Sequence, residues 1–208
     1  MEKEPESQAK SRRVAEGSII SEALVLASAS PRRREILRAV AWPFEKLAVT
    51  IDESIREGEG AVAYVERLAR EKAEAAAART GAGRLVLGAD TTVVVDGEIL
   101  GKPTDEEDAR RMLRLLGGRW HEVLTGVALV RSGDGGERRV AHEKSRVRFA
   151  QMSEAEIAWY ARTGEPLDKA GAYAVQGRAA LFIEEISGDY WNVVGLPIQL
   201  VYKLARDM

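Results

Sequence analysis

The sequence predicts an α/β fold in which helices flank a mixed β-sheet. Short apolar runs, typical of buried strands, alternate with amphipathic helical segments along most of the chain. In the second half, two runs joined by a glycine-rich loop predict an antiparallel hairpin. Since no linker interrupts the 208 residues, we expect one compact unit of two lobes around a cleft over residues 23–208, preceded by a polar extension over residues 1–22.

The first elements are a strand, a tight turn and a helix. Residues 24–27 form a short apolar run that predicts a buried strand. Ser30 suits the N-cap of the following helix, and Pro31 suits its first helical position. Residues 44–49 predict a second strand.

The middle of the chain predicts a long helix and a broken strand. Residues 61–79 are rich in alanine, and their apolar residues recur at helical spacing. Residues 85–100 predict a strand, an interruption near Asp90, a second strand and a turn at Asp96. The inner stripe of the helix is predicted to consist of Val62, Val65, Ala69, Ala73 and Ala76.

Two capping boxes and a hairpin organise the rest of the chain. Thr104 with Glu107, and Ser153 with Glu156, each predict the start of a helix. The hairpin pairs residues 119–131 with residues 137–150. Further strands are predicted over residues 181–186 and 190–194, and Pro197 begins a terminal helix.

Composition excludes several classes of site. The chain has no cysteine, which excludes disulfides, thiolate zinc sites and cysteine nucleophiles. His121 and His142 are too few for a multi-histidine metal site, so a metal would be held by carboxylates, which suits Mg²⁺ or Mn²⁺. The net charge of −2 disfavours a general nucleic-acid coat protein. No apolar run approaches the ~18 residues of a membrane helix, and the N-terminus lacks a secretory apolar region, so no membrane partner is expected.

The segment from Ser28 to Arg34 places serines before a helix and three arginines in its first turn. Free backbone N–H groups and the helix dipole favour an anion there, and guanidinium groups match phosphate oxygens. The alternative is a solvated basic turn.

Two charged residues fall within apolar patterns. Asp90 interrupts two apolar stretches, and it either binds a cation or activates water in a cleft, or is a hydrogen-bonded structural residue. Lys72 lies on the apolar stripe of its helix and either extends to solvent or points into a polar pocket.

Two loops add polar groups. Lys102 lies between Gly101 and Pro103, and residues 164–178 combine acids, lysine, tyrosine and an amide, as binding loops do. Solvated connections are the alternative for both. Taken together, cations for phosphates, acids for a metal and an amide for a base indicate an enzyme that acts on the phosphate chain of a nucleotide.

The longer motifs resemble the Maf family of nucleoside triphosphate pyrophosphatases. The resemblance is carried by LASASPRR, the Asp52-Glu53 pair, Lys72, GADTTVVVDGEILGKP, LTGVAL, GEPLDKAGAYAVQG and NVVGLP, and it runs from about Leu24 to about Leu204. It implies an elongated mixed sheet with a central cleft, as in inosine-triphosphate pyrophosphatases. It also implies hydrolysis of a nucleoside triphosphate to monophosphate and pyrophosphate, a divalent metal, and a cytoplasmic homodimer.

The resemblance also implies roles for single residues. Asp90 matches the proton acceptor, and Arg32, Thr91 and Gln176 match positions tied to substrate choice. Glu53, Asp90 and Asp168 are the expected metal ligands. The other substrate-binding positions are Ser30, Arg33, Lys72, Lys102 and Lys169.

The stretch DKAGAYAVQG resembles the subgroup that hydrolyses dTTP and UTP, which implies removal of modified pyrimidine nucleotides and a link to cell-division arrest. The alternatives are a 7-methyl-GTP pyrophosphatase and a binding protein that restrains division. A stable nucleic-acid partner is not expected.

Overall fold

The computed structural model describes residue 20 and residues 22–208, and its centre is a seven-stranded mixed sheet. The strands follow the order β2-β1-β3-β5-β6-β7, and β4 pairs with β3 off this path. The strands are β1 (Leu24–Leu26), β2 (Phe44–Lys46), β3 (Leu85–Val95), β4 (Glu98–Leu100), β5 (Trp120–Arg131), β6 (Arg138–Phe149) and β7 (Ile183–Ser187). The helices are α1 (Pro31–Ala39), α2 (Ala61–Ala77), α3 (Glu106–Leu116), α4 (Glu154–Ala161), α5 (Tyr190–Val194) and α6 (Ile198–Arg206).

The sheet is parallel at one end and antiparallel elsewhere. Strand β1 runs parallel to both β2 and β3, whereas β3, β5, β6 and β7 pair antiparallel in that order. The predicted hairpin of β5 and β6 is confirmed. A mixed sheet with flanking helices is the fold class that the sequence predicts.

Helix α2 approaches the sheet closely because two glycines lie beneath it. A Cβ atom at Gly88 of β3 would stand 2.1 Å from the carbonyl oxygen of Ala69, and one at Gly126 of β5 would stand 2.1 Å from that of Val65. Any larger residue would therefore push the helix away. This contact sets the height of Lys72 above β3.

The two ends of β3 belong to different apolar clusters. Leu85, Leu87 and Ala89 pack with α1 and α6, whereas Val93 and Val95 pack with α3 and α4. The residues between them, from Asp90 to Thr92, carry polar side chains. The strand thus places a polar stretch between two apolar clusters.

The interruption predicted near Asp90 is wrong, because β3 is continuous. Residues on both sides of Asp90 keep their pairing with β5, and Asp90 itself pairs with Gly126. The side chain of Asp90 is accommodated in a cleft rather than by a break in the strand. The strand predicted over residues 44–49 is shorter and ends at Lys46.

Residues 190–194 form helix α5, so the predicted strand is wrong there. The side chain of Asp189 accepts a 2.7 Å hydrogen bond from the backbone N–H of Trp191 and caps the helix. Gly195 ends it with a φ of +120°. Of the strand predicted over residues 181–186, the first two residues belong to a 3-10 turn (Arg178–Phe182).

The helix caps match the prediction in part. The capping box of Ser153 and Glu156 is confirmed. Asp105, not Thr104, caps α3, since its carboxylate accepts the N–H of Asp108 at 2.8 Å. Ser30 occupies the N-cap position of α1 without a side-chain capping bond.

The inner stripe predicted for α2 holds except at its first member. Val62 is 39% exposed, whereas Val65, Ala69, Ala73 and Ala76 are buried. In the first turn, Ala61 and not Val62 faces the sheet, since it packs against the cluster of Val65, Val94 and Leu124.

The extension predicted over residues 1–22 lies outside the described residues except at Ile20 and Glu22. Ile20 packs against the cluster of β1, α1 and α6. The carboxylate of Glu22 binds the guanidinium of Arg131 at 2.7 Å. Within the described part of the chain, every helix is too short or too polar to cross a membrane.

Candidate active site

A cleft of about 580 Å³ opens over the middle of β3. Its walls come from the β1–α1 turn, α2, the segment after β4, the 164–178 loop and the end of α5. All but one of the predicted site residues line it. They are Ser30, Arg32, Arg33, Glu53, Lys72, Asp90, Thr91, Lys102, Asp168 and Lys169.

Lys72 joins two carboxylates at one wall of the cleft. Its Nζ lies 2.6 Å from Oδ1 of Asp90 and 2.6 Å from Oε1 of Glu53. Lys72 and Asp90 are both buried, whereas Glu53 is half-exposed. Of the two alternatives left open by the sequence, Lys72 takes the polar pocket.

The two carboxylates have different proton affinities. Burial raises the pKa of Asp90 above its ordinary value, although the charges of Lys72 and Arg33 oppose this. Burial also acts to raise the pKa of Glu53, but the hydrogen bond and charge of Lys72 outweigh it and the pKa is lowered. Environments that separate the pKa values of two neighbouring carboxylates are typical of acid–base sites. Asp90 is the carboxylate suited to exchange a proton.

Arg33 ties three segments together across the cleft. Its Nε donates to the carbonyl oxygen of Gly195 at 2.8 Å, while Nη1 and Nη2 donate to Ser28 Oγ and Thr91 Oγ1, each at 3.1 Å. The residue is buried, so its charge is held in one place. This arrangement braces α1 against β3 and presents a fixed positive charge to the cleft.

The remaining cations line the cleft closer to solvent. Arg32 is half-buried and Lys102 exposed, and neither makes an ion pair with any described residue. Lys169 donates to the carbonyl oxygen of Glu165 at 2.8 Å and to Asp168 Oδ1 at 2.5 Å. Arg32 and Lys102 are therefore the cations most free to bind an anion.

The 164–178 loop is organised by Glu165, a role that the sequence did not indicate. Its Oε1 accepts hydrogen bonds from the hydroxyl of Tyr160 at 2.8 Å and the backbone N–H of Arg178 at 3.0 Å, which joins the two ends of the loop. Gln176 is exposed and does not line the cavity, although its neighbour Val175 does.

The three predicted metal ligands, Glu53, Asp90 and Asp168, do not form a preformed metal cluster. Over residues 22–208, no three acidic or histidine side chains approach closely enough to enclose a metal ion. Glu53 and Asp90 meet through Lys72, whereas Asp168 is paired with Lys169. Two nearby carboxylates still fit Mg²⁺, which proteins commonly hold through one or two carboxylates together with substrate phosphates.

Sequence reasoning missed Tyr64 in the wall of the cleft. Its hydroxyl donates to the carbonyl oxygen of Glu53 at 3.0 Å, and so fixes the segment that carries this carboxylate. Burial, with Asp90 and Glu53 nearby, raises the pKa of Tyr64 to about 12. The spacing of Tyr64, Leu68 and Lys72, four residues each, was the available signal, because it places them on one helix face.

Sequence comparisons with known proteins find a matching family and close relatives. A family model described as "Maf-like protein" matches residues 23–208. A curated relative from Symbiobacterium thermophilum, named dTTP/UTP pyrophosphatase, is 57% identical over 175 residues, which covers 84% of this chain and 88% of the relative. A Myxococcus xanthus protein of the same name is 51% identical over 84% of this chain and 87% of its own length.

Solved structures confirm the fold class. The Ham1 protein of Staphylococcus aureus superposes with a TM-score of 0.52 at 16% identity, covering 89% of this chain and 99% of its own. A HAM1 protein from Coxiella burnetii gives a TM-score of 0.52 at 15% identity with the same coverage.

Proposed function

The chain belongs to the Maf family, and on that premise we propose that it hydrolyses dTTP and UTP to the nucleoside monophosphate and pyrophosphate. The curated relatives that carry this substrate pair in their names support the choice of substrate. The observation that carries the chemistry is the buried pair of Asp90 and Lys72 in a cleft that also holds unpaired cations. Nucleotide hydrolysis needs a base for water and positive charge for phosphate, and the cleft supplies both.

Asp90 acts as the general base in this proposal. Its Oδ1 accepts the hydrogen bond from Lys72, which leaves Oδ2 to take a proton from the attacking water. Its raised pKa makes the carboxylate a stronger base than an ordinary aspartate. Lys72 keeps the carboxylate oriented and balances its charge.

The cations hold the phosphate chain. Arg32 binds phosphate oxygens from the start of α1, and Lys102 does so from the segment after β4. Lys169 assists from the 164–178 loop, and the first turn of α1 offers backbone N–H groups next to Ser30. Arg33 contributes its fixed charge, since its guanidinium nitrogens are engaged by the protein.

Glu53 and Asp90 are the proposed ligands of a divalent cation, Mg²⁺ or Mn²⁺, with Asp168 as a further ligand from the loop. Such a cation, when bound, neutralises negative charge on the phosphate oxygens. The homodimer, the cytoplasmic location, the lack of a stable nucleic-acid partner and the link to cell division stay predictions.

Pyrophosphate release from a panel of nucleotides tests the proposal. With Mg²⁺ present, we expect dTTP and UTP to be hydrolysed faster than CTP or 7-methyl-GTP, with pyrophosphate rather than orthophosphate as product. If 7-methyl-GTP were the best substrate, the subgroup would be wrong; orthophosphate as the first product would overturn the reaction.

The family resemblance ties Arg32, Thr91 and Gln176 to base selection; Arg32 and Thr91 line the cleft, and Gln176 lies beside it, next to the lining residue Val175. A glutamine amide matches the N3–H and carbonyl edge shared by uracil and thymine. Gln176→Ala is expected to reduce hydrolysis of dTTP and UTP more than that of CTP. An equal reduction for every nucleotide would mean that Gln176 only braces the loop.

A further inference from the structure

Helix α1 carries arginines on two faces. Arg33 points into the cleft, whereas Arg34 and Arg38, one turn apart, line a second cavity of about 590 Å³. Lys46, on the edge strand β2, contributes to the same cavity, which we call the α1–β2 pocket. It shares no lining residue with the cleft.

The α1–β2 pocket carries an uncompensated positive charge. No acidic residue lines it, and its three cations make no ion pair with any residue from 22 to 208. Most other arginines are paired, as Arg67 and Arg131 are. The Nε of Arg34 is buried and has no hydrogen-bond partner among the described residues. Buried donors are rarely left unpaired, so this group indicates a missing acceptor.

The walls of the pocket are held in place by the protein. The guanidinium carbon of Arg38 lies over the ring of Phe44, 5.9 Å from the ring centroid. Trp42 is buried, and its Nε1 donates to the carbonyl oxygen of Glu22 at 3.1 Å. The pocket also has the size of a small-molecule site, for which ~300–1,000 Å³ is usual.

We propose that the α1–β2 pocket binds a small phosphate-bearing anion, separately from the cleft. Two arginines and a lysine line one cavity, and the guanidinium fork matches phosphate oxygens. Inorganic pyrophosphate and a nucleoside monophosphate share this chemistry. Nucleic acid does not fit as well, because it requires an extended basic surface, and the chain has a net charge of −2. The proposal does not depend on which nucleotide the cleft hydrolyses.

The test compares two triple variants by isothermal titration calorimetry. The first carries Arg34→Gln, Arg38→Gln and Lys46→Gln. The control carries Arg70→Gln, Arg79→Gln and Arg162→Gln, three exposed arginines that line neither cavity and make no ion pair with described residues. Both variants change the net charge equally, so they separate a specific site from a general charge effect. The full-length chain is titrated with inorganic pyrophosphate and, separately, with UMP.

We expect two binding events in the wild type and the control, one in the cleft and one in the pocket. In the first variant, the event assigned to the pocket should weaken at least ~10-fold, as expected from the loss of charge-assisted hydrogen bonds. A second event with pyrophosphate supports an inorganic ligand, and one confined to UMP supports a nucleotide. If the binding events of the first variant match those of the wild type in number and affinity with both probes, the proposal is overturned, whether or not the cleft itself binds the probes.

Discussion

The ammonium of Lys72 lies 2.6 Å from a carboxylate oxygen of Asp90, at a place where both side chains are buried. The pair joins a helix to a strand, since Lys72 belongs to α2 and Asp90 to β3. A charge buried in this way needs a partner, and losing one member leaves the other uncompensated. Catalysis and helix position are therefore linked through one contact.

Asp90→Asn should reduce kcat by about 10²–10⁴-fold, because an amide cannot accept the proton of the attacking water. The amide oxygen still accepts the hydrogen bond from Lys72, so we expect a folded protein. Pyrophosphate release at saturating UTP measures the effect, and circular dichroism checks the fold. Full activity in a folded variant would show that Asp90 is not the base.

Lys72→Gln should move the acidic limb of the kcat/KM profile to higher pH. The ammonium stabilises ionised Asp90, so its removal raises the pKa of Asp90 further. The base must be ionised to work, so activity appears only at higher pH. The control is Lys203→Gln, which changes an exposed lysine on α6. An acidic limb that stays in place after loss of Lys72 would contradict the coupling.

Gly88→Ala should destabilise the fold by about 1–3 kcal/mol and reduce activity about 10²-fold. The added Cβ would meet backbone atoms of Ala69 and Ala73, which cannot move without displacing α2. The resulting displacement of Lys72 by about 1 Å would account for the loss of activity. Gly81→Ala is the control, because nothing lies within 4 Å of its Cβ position. Urea unfolding and steady-state kinetics measure both variants; equal behaviour would refute the close contact.

His121 should make the fold sensitive to acid. It is buried, its Nε2 is 2.9 Å from the hydroxyl of Tyr173, and burial lowers its pKa from 6.5 to about 4. The unfolded chain then binds a proton between these values while the folded protein does not. The neutral His121 therefore contributes about 3 kcal/mol to the free energy of unfolding above pH 6.5, and this contribution is lost as the pH falls towards 4.

His121→Phe removes this dependence and should flatten the pH profile of the free energy of unfolding. Urea titrations at pH 7.5, 6 and 5 measure it. A His121→Phe profile as steep as that of the wild type would assign the acid sensitivity to other groups.

The sequence predicted most of the fold because its signals are local. The Ser153 capping box and the long hairpin of β5 and β6 depend on neighbouring residues, and both are present. Residues 190–194 were misjudged because β-branched and aromatic residues favour strands, whereas the Asp189 cap and the contacts of Asn192 with β5 hold a short helix.

Ten of the eleven residues predicted for the site line one cleft, but the sequence did not predict the contacts among them. Asp90 and Lys72 stood out because charge is unusual in apolar patterns. Each of the three guanidinium nitrogens of Arg33 donates one hydrogen bond, to Ser28, Thr91 or Gly195. Thr91 and Gly195 lie far from Arg33 in the chain, so no local sequence pattern predicts these contacts.

The hydrogen bond from Arg33 to Gly195 spans 162 residues, and this distance has a consequence for the nascent chain. Synthesis at about 5–20 residues per second separates the two residues by roughly 10–30 s. During that interval the α1 turn and its arginines exist without the segment that closes the cleft. A ribosome-bound chain that lacks α5 and α6 is therefore expected to leave nucleoside triphosphates untouched, and hydrolysis is expected only once this last tenth of the 208 residues has been made.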